Sequence, residues 1–146
     1  MKICVVSDSH GDRDILQKIY NANINCDIYL HLGDSQLDPY LISPFVSVKG
    51  NCDYFLDYPN HRIIKTSKGN IYCEHGHIHG KGNISLLKEN NAFIYLYGHT
   101  HIHKLEEING FYFVNPGSCT RPRDDTNGTY LIIDINEDVK FVFKEV

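Results

Sequence analysis

The chain has 146 residues, a formal net charge of −4 and 22% charged residues, which fits one domain (1–146) able to bury a real core. With Lys+Arg at 14 against Asp+Glu at 18, its composition argues against a protein that holds nucleic acid by charge. The five cysteines (Cys4, Cys26, Cys52, Cys73, Cys119) form no C-x-x-C pair and suggest neither a disulfide framework nor a thiolate zinc site, so they read as thiols in a reducing cytoplasm. No stretch matches a signal h-region or a membrane span, and a soluble, unprocessed chain without a membrane partner is expected.

In chain order, Lys2 to Val6 is a short β-rich apolar run. The following "GDRDILQKIYNAN" places Ile15, Leu16, Ile19 and Tyr20 at helical spacing behind acidic first-turn residues. "CDIYLHLGD" gives a second apolar run ending at Asp34 and "PFVSVKGN" a third ending at Asn51; between them Pro39 and Pro44 leave room for a short helix only. Strands alternating with helices predict a parallel βαβ core in an α/β chain.

Two short strands are predicted around Lys68-Gly69-Asn70, then a helix over Ile84 to Glu89 and a strand over Phe93 to Tyr97. Further strands are predicted at Ile102 to Ile108, Phe111 to Asn115, Thr129 to Asp134 and Val139 to Lys144. This strand-rich second half is expected to form a second sheet packed on the first.

The polar motifs Asp8-Ser9-His10, Gly33-Asp34, Gly50-Asn51, His75-Gly76-His77 and Gly98-His99-Thr100-His101 each begin where an apolar run ends. Strand carboxyl ends form the ligand crevice of open α/β sheets, so the five motifs should meet at one edge. They bring carboxylates, an amide and imidazoles without a thiolate set, a mixture suited to Mn, Fe, Co, Ni or Zn. So many donors exceed the needs of one ion, whereas a dinuclear centre would use them.

Each motif also has a plain structural reading. Asp12 reads as a helix cap, Gly33-Asp34 and Gly50-Asn51 as turns, and His31 and His61 as structural histidines in apolar runs. Ser7, Ser9 and Ser118 carry no serine-hydrolase motif.

In order, "SDSHGD", "HLGDS", "KGNCDY", "EHGHIHG", "YGHTHIH" and "VNPGSCTRPR" resemble the motif series of the calcineurin-like metallophosphoesterase superfamily, in its branch of small single-domain prokaryotic phosphodiesterases. The resemblance implies a four-layer α/β/β/α sandwich of two mixed sheets. It implies a metal-dependent phosphodiesterase with two divalent ions, manganese first and Ni, Co, Fe or Zn as alternatives. One ion would be held by Asp8, His10, Asp34 and His101 and the other by Asp34, Asn51, His75 and His99, with a bridging hydroxide as nucleophile. A small phosphodiester is the implied substrate and a homodimer or tetramer the implied assembly; no stable nucleic-acid partner is expected. A phosphomonoesterase or nuclease on the same centre, or a non-catalytic metal-binding scaffold, are the alternatives.

Where larger members have histidine after the motif asparagine, this chain has Cys52, a poorer acid near neutrality. His77 is the candidate to assist the leaving group instead. Asp53 is expected to orient a ligand, and Arg121 and Arg123 are candidates to receive a phosphate oxygen. His79 is placed at the pocket rim and His103 in solvent.

Overall fold

The computed structural model describes residues 1–146 and contains two five-stranded sheets. In chain order the elements are β1 (Lys2–Val6), α1 (Arg13–Ala22), β2 (Ile28–His31), α2 (Pro39–Ile42), β3 (Val46–Ser47), β4 (His61–Thr66), β5 (Gly69–Glu74), α3 (Ile84–Glu89), β6 (Ala92–Leu96), β7 (His103–Ile108), β8 (Phe111–Pro116), β9 (Thr129–Ile135) and β10 (Val139–Glu145). The first sheet has the order β10-β9-β1-β2-β3 and the second β4-β5-β6-β8-β7. Each has three adjacent parallel strands with antiparallel strands outside them, so both are mixed.

The two-residue alternation of a strand sorts side chains between layers. Ile3 and Val5 of β1 and Leu131, Ile133 and Ile135 of β9 point between the sheets, where they meet Ile71, Cys73, Ile94, Leu96 and Val114. Their neighbours Cys4, Val6, Tyr130 and Ile132 point outward and pack under Leu16 and Ile19 of α1 and Ile42 of α2. On the far side Tyr72, Tyr95, Tyr97 and Phe113 pack under Leu87 of α3. The implied sandwich is therefore present, with a six-residue helix as its main outer element on the second sheet.

Helix α1 starts where predicted, because the Asp12 carboxylate accepts the Ile15 N–H at 3.0 Å. Helix α3 spans Ile84–Glu89 as predicted, capped by Asn83. One expectation is corrected: the strand-rich second half is divided between the sheets. β9 pairs antiparallel with β1 and carries β10 with it to the edge of the first sheet. Leu131, Ile133 and Ile135 thereby close the inter-sheet core at β1.

Candidate metal centre

All five polar motifs leave carboxyl ends of parallel strands: β1, β2 and β3 in one sheet, β5 and β6 in the other. The loops after β1 and β2 run side by side through Asp8 N–H to Gly33 O (3.1 Å), His10 N–H to Asp34 O (3.0 Å) and Gly11 N–H to Ser35 O (2.8 Å). Gly98 N–H donates to His75 O, and His99 N–H to Asp8 Oδ2 at 3.0 Å. Close approach needs glycine at two crossings. A Cβ on Gly98 would fall on Ser7 Oγ, and one on Gly50 on the Asp34 carboxylate.

The predicted ligands come together. His75 Nε2 lies 3.0 Å from Asn51 Oδ1, 3.4 Å from Asp34 Oδ2 and 3.8 Å from Asp8 Oδ1. His101 Nε2 lies 3.2 Å from Asp8 Oδ1 and 3.3 Å from His10 Nε2, and His99 Nδ1 lies 2.9 Å from Asn51 Oδ1. Asp34 is shared: one of its oxygens groups with Asp8 and His75 and one with His10 and Cys52, each group having donor atoms within 4.8 Å of one another.

Tautomers follow from the outer partners. His75 Nδ1 faces Leu32 O (2.7 Å), His101 Nδ1 faces Arg121 O (2.7 Å) and His10 Nδ1 faces Gln36 Oε1 (2.8 Å). A carbonyl oxygen only accepts, so each Nδ1 carries the proton and each Nε2 of a neutral ring turns a bare lone pair inward. Asp8 Oδ1 is fully buried without a hydrogen-bond partner. Lone pairs at 3.2–3.8 Å with no proton between them repel, and a cation removes the repulsion.

The electrostatics agree. Burial pushes the Asp34 carboxyl up, but the His75 ring and the Cys52 N–H outweigh it and hold it well below the carboxylate range. Burial pulls His75 down, yet Asp34 and Asp8 leave it above its ordinary value, and Asp8 raises His101. The cluster thus stabilises positive charge between its side chains, and its nitrogen and oxygen donors fit divalent transition metals.

Around this cluster lies a cavity of about 500 Å³ lined by His10, Asp34, Asn51, Cys52, His99, His101, Arg121, Pro122 and Arg123. Cys52 donates its backbone N–H to Asp34 Oδ1 at 2.7 Å, and burial with the neighbouring carboxylates pushes its thiol up to about 11. His77 is not in the cavity wall; its ring centre stands 5.5 Å from that of His75 and 6.4 Å from that of His99.

Three expected positions change. Asp53 orients no histidine; its buried carboxylate accepts the N–H groups of Asp34, Gly50 and Gln36, each at 2.8 Å, and so fixes the loops that carry Asp34 and Asn51. His103 is not free in solvent: Asp124 Oδ2 takes its N–H (2.9 Å) and its Nδ1 (2.7 Å), and its ring packs on Phe143. His79 donates its N–H to Glu74 Oε1, and its Nδ1 meets Glu74 Oε2 at 2.8 Å, tying the loop after β5 to a buried carboxylate. Gln36, which orients His10, has no sequence signal.

His31 is structural, as read. Its Nδ1 accepts the Gly33 N–H (3.1 Å), so Nε2–H donates to Ser9 Oγ (2.9 Å). It therefore cannot act as the base of Ser9. Ser7 and Ser118 are buried and donate to Asp8 Oδ2 and Asp8 O. His61 stacks on Tyr72.

Comparison with known proteins places this geometry. The sequence model of the calcineurin-like phosphoesterase superfamily domain matches residues 1–138. The probable metallophosphoesterase YsnB of Bacillus subtilis is 32% identical over 150 residues, covering 97% of this chain and 89% of YsnB. Phosphodiesterase YfcE of Escherichia coli is 29% identical over 98 residues, or 61% of this chain and 52% of YfcE. The crystal structure of a predicted phosphoesterase from Streptococcus pneumoniae TIGR4 superposes with a TM-score of 0.84 at 31% identity, covering 97% of this chain and 87% of that one. The chain belongs to the calcineurin-like phosphoesterase superfamily and is a metallophosphoesterase.

Proposed function

We infer that the protein hydrolyses small phosphodiesters at a dinuclear centre held by Asp8, His10, Asp34, Asn51, His75, His99 and His101, with manganese the first candidate metal. The observation that carries this reading is the cluster of inward-facing carboxylates and imidazoles divided about Asp34, which leaves Asp8 Oδ1 buried without a partner. When bound, two divalent ions supply a water acidified toward neutral pH and positive charge for the phosphoryl oxygens.

The chain's own residues do the rest. Asp34 would be shared between the two ions, with one oxygen steadied by the Cys52 N–H. Gln36, Leu32 O and Arg121 O hold three imidazoles with Nε2 inward. Cys52, with its thiol pushed up to about 11, is a weak proton donor, and His77 beside His75 and His99 is the candidate to protonate the departing alkoxide. YfcE is named a phosphodiesterase, which supports the diester over the monoester reading. The intact ligand set argues against a scaffold, and the excess of acidic over basic residues against a polynucleotide substrate.

The test is hydrolysis of bis(p-nitrophenyl) phosphate and p-nitrophenyl phosphate by chelator-treated protein reloaded in turn with Mn, Ni, Co, Fe and Zn. The expected result is metal-dependent turnover with the diester preferred. Equal or monoester-preferring rates would overturn the diesterase reading, and no turnover with any ion would return the protein to the scaffold class.

A further inference from the structure

Arg121 and Arg123 are exposed, line the cavity of the metal cluster and have no anionic partner: the chain's ion pairs join His75, His79, His101, His103 and Lys104 to carboxylates and include neither arginine. Surface arginines without partners are common, but these two sit on a fixed backbone. Arg121 O accepts the His101 ring N–H (2.7 Å), Arg123 N–H donates to His101 O (3.0 Å) and Arg121 N–H donates to Ser118 Oγ (2.8 Å). Beyond them Asp124 grips His103 through Oδ2 and receives the Thr126 hydroxyl (2.5 Å) on Oδ1. The loop is thus laced to alternate residues of the segment that supplies metal ligands.

We propose that Arg121 and Arg123 form a subsite for a second, non-scissile phosphate, so that the preferred substrates are phosphodiesters carrying an additional phosphate group. The inference rests on the diesterase reading. A diester phosphoryl has one negative charge, and its non-bridging oxygens are taken up at the metal cluster. Two guanidinium groups beside that cluster then stay uncompensated. A second phosphate lying against this wall would neutralise both, and the planar guanidinium fork matches its oxygens. A cavity of about 500 Å³ lies within the usual range for small-molecule sites.

The test uses two chromogenic diesters with the same leaving group, thymidine 5′-(p-nitrophenyl phosphate) and its 3′-phosphorylated form, on the Mn-loaded protein. The 3′-phosphate should lower KM at least tenfold with kcat little changed, and the ratio should shrink as ionic strength rises. In the Arg121→Met/Arg123→Met double variant the KM ratio should fall to about one. Asp124→Ala, which leaves both arginines in place but frees their loop, should reduce the ratio. Calorimetry gives a readout independent of turnover: thymidine 3′,5′-bisphosphate should bind at least tenfold more tightly than thymidine 5′-monophosphate, and the double variant should lose the difference. Equal KM values with equal affinities would overturn the subsite, as would a double variant that weakens both diesters alike, since the arginines would then serve the scissile group. Turnover of neither diester would sink the diesterase reading, and the calorimetric pair would still decide the subsite.

Discussion

Asp53 offers the sharpest test of how the site is held, because it touches neither metal-facing atoms nor the cavity wall. Its carboxylate takes three backbone N–H groups at 2.8 Å, two of them (Asp34, Gly50) in fully buried bonds and the third (Gln36) in a partly buried one. Orphaning a buried donor costs about 1–3 kcal/mol. Asp53→Ala orphans all three but opens a hole that water can enter, so the expected cost is about 3–5 kcal/mol. Asp53→Asn keeps one accepting oxygen and turns an NH₂ toward the remaining donor, with an expected cost of about 1–3 kcal/mol. Both are measured by urea unfolding in chelator, so that bound metal contributes nothing, and metal affinity is then measured on each folded variant. The affinity should fall in the same order, because the loops carrying Asp34 and Asn51 both hang on this carboxylate. If Asp53→Ala cost less than about 1 kcal/mol, or if both variants bound metal like the parent, the carboxylate would not be what holds these loops.

Metal removal should destabilise the protein: each ion present at 100 times its Kd is worth about 2.7 kcal/mol, or roughly 5–10 °C in Tm, and elemental analysis should find two ions per chain. An unmoved Tm or a single ion would refute the dinuclear assignment. Burial pulls the pKa of His31 from 6.5 to about 4, so between these values the unfolded chain takes a proton that the folded one refuses. Stability from this residue is full above about pH 6.5 and falls by about 3 kcal/mol as the pH drops to 4. In chelator, the parent should therefore lose about that much more than His31→Asn over this range, and equal losses would contradict the buried neutral ring. His77→Ala should lower kcat about tenfold for a diester with an alkoxide leaving group and leave p-nitrophenolate release unchanged. An unaltered rate on the alkoxide substrate would remove His77 from the mechanism.

The layers were readable because strand alternation is local: Ile3 and Val5 against Cys4 and Val6 already divide the inner core from the helix-covered face. Partner choice was not readable. Nothing in Thr129–Ile135 marks it for β1 rather than for the second sheet, since the same apolar alternation would suit either. The site's place was readable because imidazoles, carboxylates and an amide recur at the ends of apolar runs, whereas the proposed ligand sets came from the family resemblance. How the ligands are held was not readable, because it runs through backbone: Asp53, expected to orient a histidine, takes three amides instead, and Leu32 O and Arg121 O take two rings. His103 looked idle because its partner, Asp124, lies 21 residues away in the chain.

The backbone of the site carries one further signal that a sequence hides. Eight non-glycine residues have positive φ, and five of them are proposed ligands: Asp8 (54°), His10 (45°), Asp34 (55°), His99 (68°) and His101 (62°). The left-handed region costs a non-glycine residue roughly 1–2 kcal/mol. Glycine would avoid that cost but would supply no donor atom, so the strain stays where side chains are needed. It also explains why the alternating His99, His101 and His103 do not share one face: His99 and His101 turn out of the extended path before β7 begins. The distribution is uneven. All four residues of the first proposed set (Asp8, His10, Asp34, His101) are left-handed, whereas Asn51 and His75 of the second are not, and His99 is exposed. A set fixed by its backbone loses less freedom on binding an ion and should fill first. Titration of chelated protein with Mn²⁺ should therefore show two steps, His10→Ala weakening the tighter one and His99→Ala the weaker. A single step, or the reverse assignment, would show that backbone strain does not rank the two sites.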